Sequence, residues 1–294
     1  MYLSIHIDVS PQDADRAPID HRADRIEAAK ADFVLLARET DGGGLQPSRV
    51  EAVVTLPWIT GRLSTPVVVA ALPALHAVPF HIARALSAAD FLSAGRCGWM
   101  PMTAGGARYD AAYGDGYRLA DDQTRAKYED FIRATQALWD SWDDDALIID
   151  KAAGVYLDSA KVRRVDYRGP FFSSMGPLNA ARPPQGYPVL VRDLDDVAES
   201  AVPADVVLGS LSQLAAAGAG AVRLVKATAA TVDQAVGAVR EGAADGLHLV
   251  GESALELLEA LRAKHPVAEK AGATARARLG LTKPANPYSE RAQA

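Results

Sequence analysis

Short apolar runs alternate with longer amphipathic stretches along almost the whole chain. The apolar runs predict eight strands, at residues 2–7, 33–37, 66–72, 98–103, 188–192, 204–208, 221–226 and 246–250. Apolar positions three or four residues apart predict helices between them, at residues 23–31, 48–58, 79–92, 124–142, 211–217, 232–241 and 254–265. The chain is therefore built from a repeated unit of one strand and one helix.

The predicted strands are apolar at almost every position, which indicates parallel strands that are buried on both faces. Eight such strands in 294 residues fit a (β/α)8 TIM barrel better than an open doubly wound sheet. Local signals agree, because Pro79 stands at a first helical position and glycines follow helix ends at Gly95, Gly218 and Gly242. We predict an α/β protein in which residues 1–294 form one barrel domain.

Two segments interrupt the alternation. Residues 104–119, AGGARYDAAYGDGYRL, follow the fourth predicted strand, and barrel connectivity places such a loop at the C-terminal face, where barrel enzymes carry their sites. Residues 143–187 follow the fourth helix and include most of the stretch RGPFFSSMGPLNAARPPQGYPVLV (168–191), whose prolines hold the path rigid. We expect an external ribbon insertion at about 143–187 and a C-terminal tail at about 266–294.

Composition narrows the class of protein. Hydrophobic residues make up 49% of the chain and charged residues 23%, which is typical of a soluble globular protein. The net charge is −6 and the basic residues are scattered, so a nucleic-acid-binding surface is not indicated. The single cysteine, Cys97, suits a reducing compartment, and no apolar run is long enough to span a membrane. We expect a cytoplasmic protein.

Other stretches give only weak signals of a binding or catalytic site. TDGGGLQ at residues 40–46 lacks the Lys-Ser/Thr pair of a phosphate-binding P-loop, which favours an ordinary flexible loop. The acidic run WDDDA at 142–146 stands at a helix end, where adjacent carboxylates usually face solvent. No His, Cys and Asp cluster has the spacing of metal ligands, and no serine-centred nucleophile elbow is visible.

Several blocks of sequence, taken together, point to a family. Residues 137–191 contain the acidic Trp-Asp-Ser-Trp helix end, an Asp-Lys-x-x-Gly turn and Gly-Pro-Leu-Asn followed by Arg-Pro-Pro-Gln-Gly. VPFHIARALSAADFLSAGRCGW (78–99), ADGLHLV (244–250) and RLGLTKPANPY (278–288) accompany it in the same order. Together they resemble the bacterial luciferase-like flavin monooxygenases, in the branch of the nitrilotriacetate, EDTA and dibenzothiophene-sulfone monooxygenases. The similarity extends over about residues 25–290, with gaps.

The resemblance implies a function. Enzymes of this family use reduced FMN, supplied by a separate flavin reductase, and O2 to oxygenate a small organic substrate at the C-terminal mouth of the barrel. In such enzymes the cofactor supplies the difficult chemistry and the protein supplies orientation and exclusion of water. The ribbon of the family packs outside the barrel and often helps to assemble subunits, which implies a homodimer or a heterodimer with a homologue.

The resemblance also implies where the flavin would be contacted. The matching positions in this chain are Arg38, Leu75, Met100, Thr103, Thr124, Tyr128 and Asp195. Thr103 and Tyr128 are retained. Leu75 stands near a Thr of the relatives, Met100 replaces an Asn, and Thr124 replaces a His, so hydrogen-bonding groups are lost at two of these positions. Thr124 and Tyr128 are four residues apart and share one helix face.

Arg38 replaces an Asp of the relatives, and two interpretations of it remain open. The guanidinium either pairs on the surface with Glu39 or Asp41, or it binds a phosphate or an anionic substrate.

The acidic stretch after the fifth predicted strand departs most from the family. Asp193, Asp195 and Asp196 stand where the relatives have a small Ala-Gly-x-Ser turn that holds the flavin phosphate. Carboxylates beside a phosphate repel it, so we expect a degenerate flavin pocket with weakened FMN binding. The alternative function is a flavin-free, non-catalytic barrel that acts as a partner subunit or a small-molecule binder.

Overall fold

The computed structural model describes residues 1–9, 17–40, 44–48, 50–103, 112, 119–217, 220–267 and 272–291. Most of the loop 104–119, which the sequence places on the active side, lies outside the described residues. The same holds for Gly218, for Asp41 and for the centre of the glycine-rich stretch 40–46.

Strands and helices follow one another in the predicted order. The strands are β1 (Tyr2–Ile7), β2 (Phe33–Glu39), β3 (Leu45–Pro47), β4 (Val67–Pro73), β5 (Cys97–Met102), β6 (Leu147–Asp150), β7 (Val155–Leu157), β8 (Tyr167–Arg168), β9 (Ser173–Ser174), β10 (Val189–Asp193), β11 (Val206–Gly209), β12 (Val222–Ala227) and β13 (Gly246–Leu249). The helices within the described ranges are α1 (Ala17–Ala29), α2 (Ala52–Arg62), α3 (Pro79–Leu92), α4 (Asp121–Trp139), α5 (Leu211–Ala216), α6 (Val232–Arg240), α7 (Ala254–Lys264), α8 (Ala275–Arg278) and α9 (Pro287–Arg291).

Eight parallel strands close into a barrel. They pair in the order β1, β2, β4, β5, β10, β11, β12 and β13, and β13 pairs again with β1. The predicted α/β class and TIM-barrel fold are confirmed. Both ends of each predicted strand lie within three residues of the ends of the corresponding barrel strand. The sequence did not predict β3, which pairs antiparallel with β2 and is only three residues long.

Side chains alternate between two layers of the core. Phe33, Val69, Met100, Val191 and Leu208 point into the barrel lumen and pack on one another. The residues between them on each strand face outward and pack under the helices. This alternation places every second residue near the C-terminal end of a strand inside the mouth of the barrel.

The helix signals act as the sequence predicted. Pro79 begins α3, where its missing N–H costs nothing, and the helix has the predicted bounds. Gly95 follows α3 with a φ of 76°, in the left-handed region that glycine adopts easily. No helix in the described part of the chain is long and apolar enough to cross a membrane.

The ribbon between α4 and β10 lies against the outside of the barrel and forms two short antiparallel pairs, β6 with β7 and β8 with β9. Asp130 of α4 fixes one part of it. Its carboxylate accepts hydrogen bonds from the backbone N–H of Phe171 at 2.7 Å and of Phe172 at 2.8 Å, and from the Tyr167 hydroxyl. A buried helix side chain thus satisfies backbone groups that the irregular ribbon cannot satisfy itself.

Arg182 anchors the middle of the ribbon. It is almost fully buried, and its guanidinium donates to Asp140 at 3.0 Å, to Asp144 at 3.0 Å and to the carbonyl of Pro284 at 2.9 Å. The acidic run 142–146 is therefore structural. Of its other carboxylates, Asp143 pairs with Arg163 and Asp145 pairs with Lys161.

Gln185 anchors the end of the ribbon. Its side-chain amide donates to Asp90 Oδ1 at 2.6 Å, and its backbone N–H donates to Asp90 Oδ2 at 3.1 Å. Its amide oxygen accepts from the N–H of Arg276, which attaches the C-terminal tail. Asp90 is fully buried, and burial raises its pKa to about 6 even though Gln185 stabilises the ionised form.

We expect Gly169→Ala to destabilise the protein, because an added Cβ would lie 1.8 Å from Asp130 Oδ1. The loss should be about 2–4 kcal/mol in urea unfolding, from overpacking and from weakened bonds to the ribbon backbone. Gly237→Ala is the matched control, because Gly237 lies inside α6 with open space around its Cβ position. The control should be neutral or up to about 1 kcal/mol more stable. Equal stabilities of the two variants would contradict the role given to Asp130.

The raised pKa of Asp90 predicts a pH-dependent contribution to stability. The folded carboxyl binds a proton more tightly than the unfolded one, so this contribution is present in acid and is lost as the pH rises through about 6. The difference in unfolding free energy between the wild type and Asp90→Asn should therefore fall by about 1 kcal/mol from pH 5 to pH 7.5. Urea titrations of both proteins test this, and a constant difference would contradict it.

Candidate active site

A cavity of about 440 Å³ opens at the C-terminal mouth, beside the ends of β5 and β10. Its lining combines hydroxyl groups, one cation, two carboxylates and two small apolar side chains: Thr103, Thr124, Arg125, Asp196, Val197, Ala198 and Glu199. Catalytic residues of TIM barrels come from the loops at this end of the strands. The cavity is therefore the candidate active site.

Thr103 and Asp196 join the ends of two neighbouring strands. The backbone N–H of Thr103 donates to Asp196 Oδ2 at 2.7 Å, and its hydroxyl donates to Oδ1 at 2.8 Å. The carboxylate thus takes both donors that the end of β5 presents to the cavity. This pair fixes one wall of the site.

Helix α4 supplies the opposite wall with its first turns. Thr124 and Arg125 line the cavity there. The Arg125 guanidinium lies 4.0 Å from Glu199, and the two side chains are 56% and 87% exposed, so this pair is weak and readily exchanged. A cation and a hydroxyl at the start of a 19-residue helix are a donor set for an anion.

Tyr128 lies on the same helix, one turn after Thr124. Its side chain is almost fully buried in the outer core. Burial raises the pKa of its phenol, with Arg192 lowering it and Asp196 raising it less strongly. Tyr128 is therefore a neutral group of the outer core, outside the lining of the cavity.

The acidic stretch after β10 is paired with a cation. Lys226 at the end of β12 donates to Asp193 and to Asp195, each at 2.6 Å, and Gln213 donates to Asp195 at 2.9 Å. Burial tends to raise the pKa of Asp195, but these hydrogen bonds outweigh it and lower the pKa below its usual range. The expected repulsion of a phosphate by three carboxylates is therefore reduced, because Asp193 and Asp195 share Lys226 and Asp196 accepts from Thr103.

The remaining predicted contacts do not line this cavity. Met100 is fully buried in the lumen, and Leu75 is half-buried in the turn after β4. Arg38 lies on β2 and its Nη2 donates to Gln46 on the neighbouring β3 at 2.8 Å. The structure thus brings Thr103 and Thr124 together in one cavity, buries Tyr128 in the outer core, and places Asp195 on the adjacent loop.

Several polar residues of the mouth were missed from the sequence. Lys226 and His248 lie in predicted apolar strands, where a lone charged or imidazole side chain is itself a signal of function. His6 and Glu39, on β1 and β2, lie 3.5 Å apart inside the mouth. Their proximity depends on the register of the neighbouring strands β1 and β2, which no local pattern reveals. Within the described residues, no group of three or more His, Cys, Asp or Glu is placed to hold a metal ion.

The fold and the cavity define a (β/α)8 barrel with its candidate site at the C-terminal mouth. A model of the luciferase-like monooxygenase family matches residues 2–292. The chain belongs to the luciferase-like monooxygenase family, as its sequence blocks predicted.

Individual relatives match part of the chain. Dibenzothiophene-sulfone monooxygenase of Rhodococcus erythropolis is 37% identical over 148 residues, which are 50% of this chain and 32% of that enzyme. One of the subunits of pristinamycin IIA synthase from Streptomyces pristinaespiralis is 34% identical over 164 residues, 56% of this chain and 53% of that protein. The chain thus spans about a third to about half of the length of these relatives.

A solved structure has the same fold over nearly the whole chain. Riboflavin lyase, crystallised with modified FMN and riboflavin, superimposes with a TM-score of 0.78 and 19% identity, and the match covers 96% of each chain.

We expect Lys226→Met to destabilise the protein by about 3 kcal/mol at pH 8, because it leaves the buried Asp193 without its cation. Burial already raises the pKa of Asp193, and loss of Lys226 raises it further, so protonation should make the loss smaller at pH 5. Lys283→Met is the control, because Lys283 and its partner Asp144 are 43% and 50% exposed. The control should cost less than about 1 kcal/mol at either pH. Denaturant unfolding at both pH values measures the loss of stability. Equal losses in the two variants would contradict the buried pairing of Lys226 with Asp193.

Proposed function

We propose that the protein is an FMN-dependent monooxygenase-type oxidoreductase that acts on a small organic substrate. The observation that supports this most is the position of Thr124 and Arg125, at the start of α4, in a cavity at the barrel mouth. Membership of the luciferase-like monooxygenase family gives that cavity its chemical context.

The residues of the cavity fit the phosphate of FMN. Arg125 can exchange its weak contact with Glu199 for a bidentate bond to phosphate oxygens, which is much the stronger interaction. The Thr124 hydroxyl and the N-terminal end of the α4 dipole add to the same attraction. Asp196 does not oppose it fully, because its carboxylate is held by Thr103.

Reduced flavin, when bound, would supply the two electrons that activate O2, and O2 would supply the oxygen atom transferred to the substrate. The chain's own residues would bind the flavin phosphate and exclude water. Arg125 and Thr124 would hold the phosphate end, while Val197 and Ala198 give the cavity apolar surface that helps to exclude water. Since the proposed reaction consumes reduced flavin, a separate flavin reductase is the proposed partner, with both proteins in the cytoplasm.

We also propose assembly into a homodimer or a heterodimer with a homologue. Large apolar side chains are exposed on the β6–β7 hairpin of the ribbon, including Ile148, Ile149 and Tyr156, at 49%, 55% and 64% of their surface. Exposed apolar groups on one projecting hairpin favour a covered surface. A relative that is named as one subunit of a synthase supports the heterodimer.

The alternative is a flavin-free barrel that serves as a partner subunit or binds another small molecule. One observation favours it. The Asp196 carboxylate already occupies the N–H and the hydroxyl of Thr103, which in an open site would be offered to a ligand. An internal carboxylate that satisfies these donors would weaken flavin binding.

Replacement of Arg125 tests the flavin proposal. Arg125→Met should weaken binding of FMN about tenfold, because one charge-assisted contact to the phosphate is lost, and should leave riboflavin binding unchanged. The control is Arg133→Met on the same helix, where Arg133 pairs with Glu129 away from the cavity. Calorimetric titrations with FMN, dithionite-reduced FMN and riboflavin measure the three affinities.

Two outcomes would count against the proposal. If neither oxidised nor reduced FMN binds the wild type at millimolar concentration, the flavin-free alternative holds. If FMN binds and Arg125→Met weakens FMN and riboflavin equally, the phosphate does not bind at Arg125.

A further inference from the structure

One side of the barrel lumen is polar just below the mouth, although TIM-barrel interiors are usually filled with branched apolar side chains. We call this region the lumen subsite, and it consists of Ser4, His6, Glu39, Asp193, Lys226 and His248. The intervening residues Leu3, Ile5 and Ile7 pack in the outer core, so Ser4 and His6 face inward. None of these six residues lines the candidate active site at β5 and β10.

His6 is oriented by a carboxylate. Its Nε2 lies 3.5 Å from Glu39 Oε2, and that oxygen is held in turn by the backbone N–H of Gly251 at 2.8 Å. A carboxylate beside Nε2 favours the tautomer that carries its proton there, which leaves Nδ1 as a hydrogen-bond acceptor. His6 Nδ1 is buried and has no hydrogen-bond partner in the described part of the chain.

His248 presents a second nitrogen in the same region. Its Nδ1 lies 2.9 Å from the hydroxyl of Ser4, while its Nε2 is buried without a partner among the described residues. The ring centroids of His6 and His248 are 6.0 Å apart, so the two unpartnered nitrogens belong to one region of the lumen. Two such nitrogens are costly in a folded core, and each calls for a partner.

The lumen subsite has no uncompensated cation. Burial lowers the pKa of His6 to about 4 and lowers that of His248 as well, so both imidazoles are neutral at neutral pH. Lys226 is the remaining basic group, and it is neutralised by Asp193 and Asp195. An anionic group placed here would lose its hydration without gaining an ion pair.

We propose that the lumen subsite binds an uncharged ligand group that carries an N–H or O–H, which His6 Nδ1 accepts and His248 Nε2 contacts. Glu39 is a positioning residue for His6. If the bound group belongs to the substrate, the proposal rests on the proposed function. The lumen subsite then selects substrates with a neutral amide, hydroxyl or similar group over carboxylates and sulfonates. As a statement about binding it requires no flavin.

Nitrogen NMR of the purified full chain without added flavin tests the subsite directly. The protein is labelled with 15N-histidine and titrated with acetamide, with N,N-dimethylacetamide, which lacks N–H groups, and with acetate, which is charged. Acetamide should shift the ring resonances of His6 and His248 in a saturable way, with exposed His21 and His81 as internal controls. Dimethylacetamide and acetate should bind at least about tenfold more weakly, the size of one hydrogen bond. Absence of a saturable shift with acetamide, or equal affinity for the three probes, would overturn the proposal.

A pair of His6 variants separates an acceptor from a structural role. In His6→Asn the amide oxygen can take the place of Nδ1, whereas in His6→Gln the longer side chain keeps only the contact to Glu39. His6→Asn should retain the acetamide response of His248, and His6→Gln should weaken it about tenfold. The reverse order would show that the Glu39 contact alone matters and would overturn the acceptor role.

Failure of this inference is distinguishable from failure of the proposed function. Loss of FMN binding together with an intact acetamide response removes only the flavin proposal, because the NMR titration contains no flavin. Intact FMN binding without an acetamide response removes only the lumen subsite.

Discussion

Closure of the sheet through β1 is the constraint on which the rest of the molecule depends. Because β1 pairs with both β2 and β13, every strand has two neighbours and half of its side chains must enter a narrow lumen. Lower in the barrel these side chains are apolar and fill it. Near the mouth these side chains are polar and need hydrogen-bond partners from other strands and loops. This explains why Lys226 lies between two aspartates and why Glu39 accepts from the N–H of Gly251.

A second set of buried carboxylates holds the ribbon. Asp90 lies on α3, Asp130 on α4, and Asp140 directly follows α4, and each accepts hydrogen bonds from a different part of the ribbon. The ribbon has little regular pairing of its own, so its backbone groups need such acceptors. The helices therefore perform two tasks: one face covers the barrel, and acidic side chains along them fix an irregular segment that the prolines have already stiffened.

The sequence predicted the local features well. Apolar runs determine the eight barrel strands, and Pro79 sets the start of α3, because these signals lie within a few residues. The sequence did not predict that Lys226 pairs with both Asp193 and Asp195. The partners are 31 and 33 residues apart in the chain and meet only when β10, β11 and β12 assemble. His6 and Glu39 lie on the neighbouring strands β1 and β2, but their contact depends on how far each strand extends toward the mouth, which the sequence does not give. Much of the mouth therefore depends on contacts that a linear pattern does not contain.

The C-terminal tail completes the ribbon. Arg182 donates to the carbonyl of Pro284, 102 residues later, and Asn286 donates to the carbonyls of Asp140 and Trp142. During synthesis on the ribosome, the barrel strands and the ribbon emerge well before this tail does. The buried guanidinium lacks one of its acceptors until the residues around Pro284 have also emerged, so the ribbon reaches its final packing late in folding.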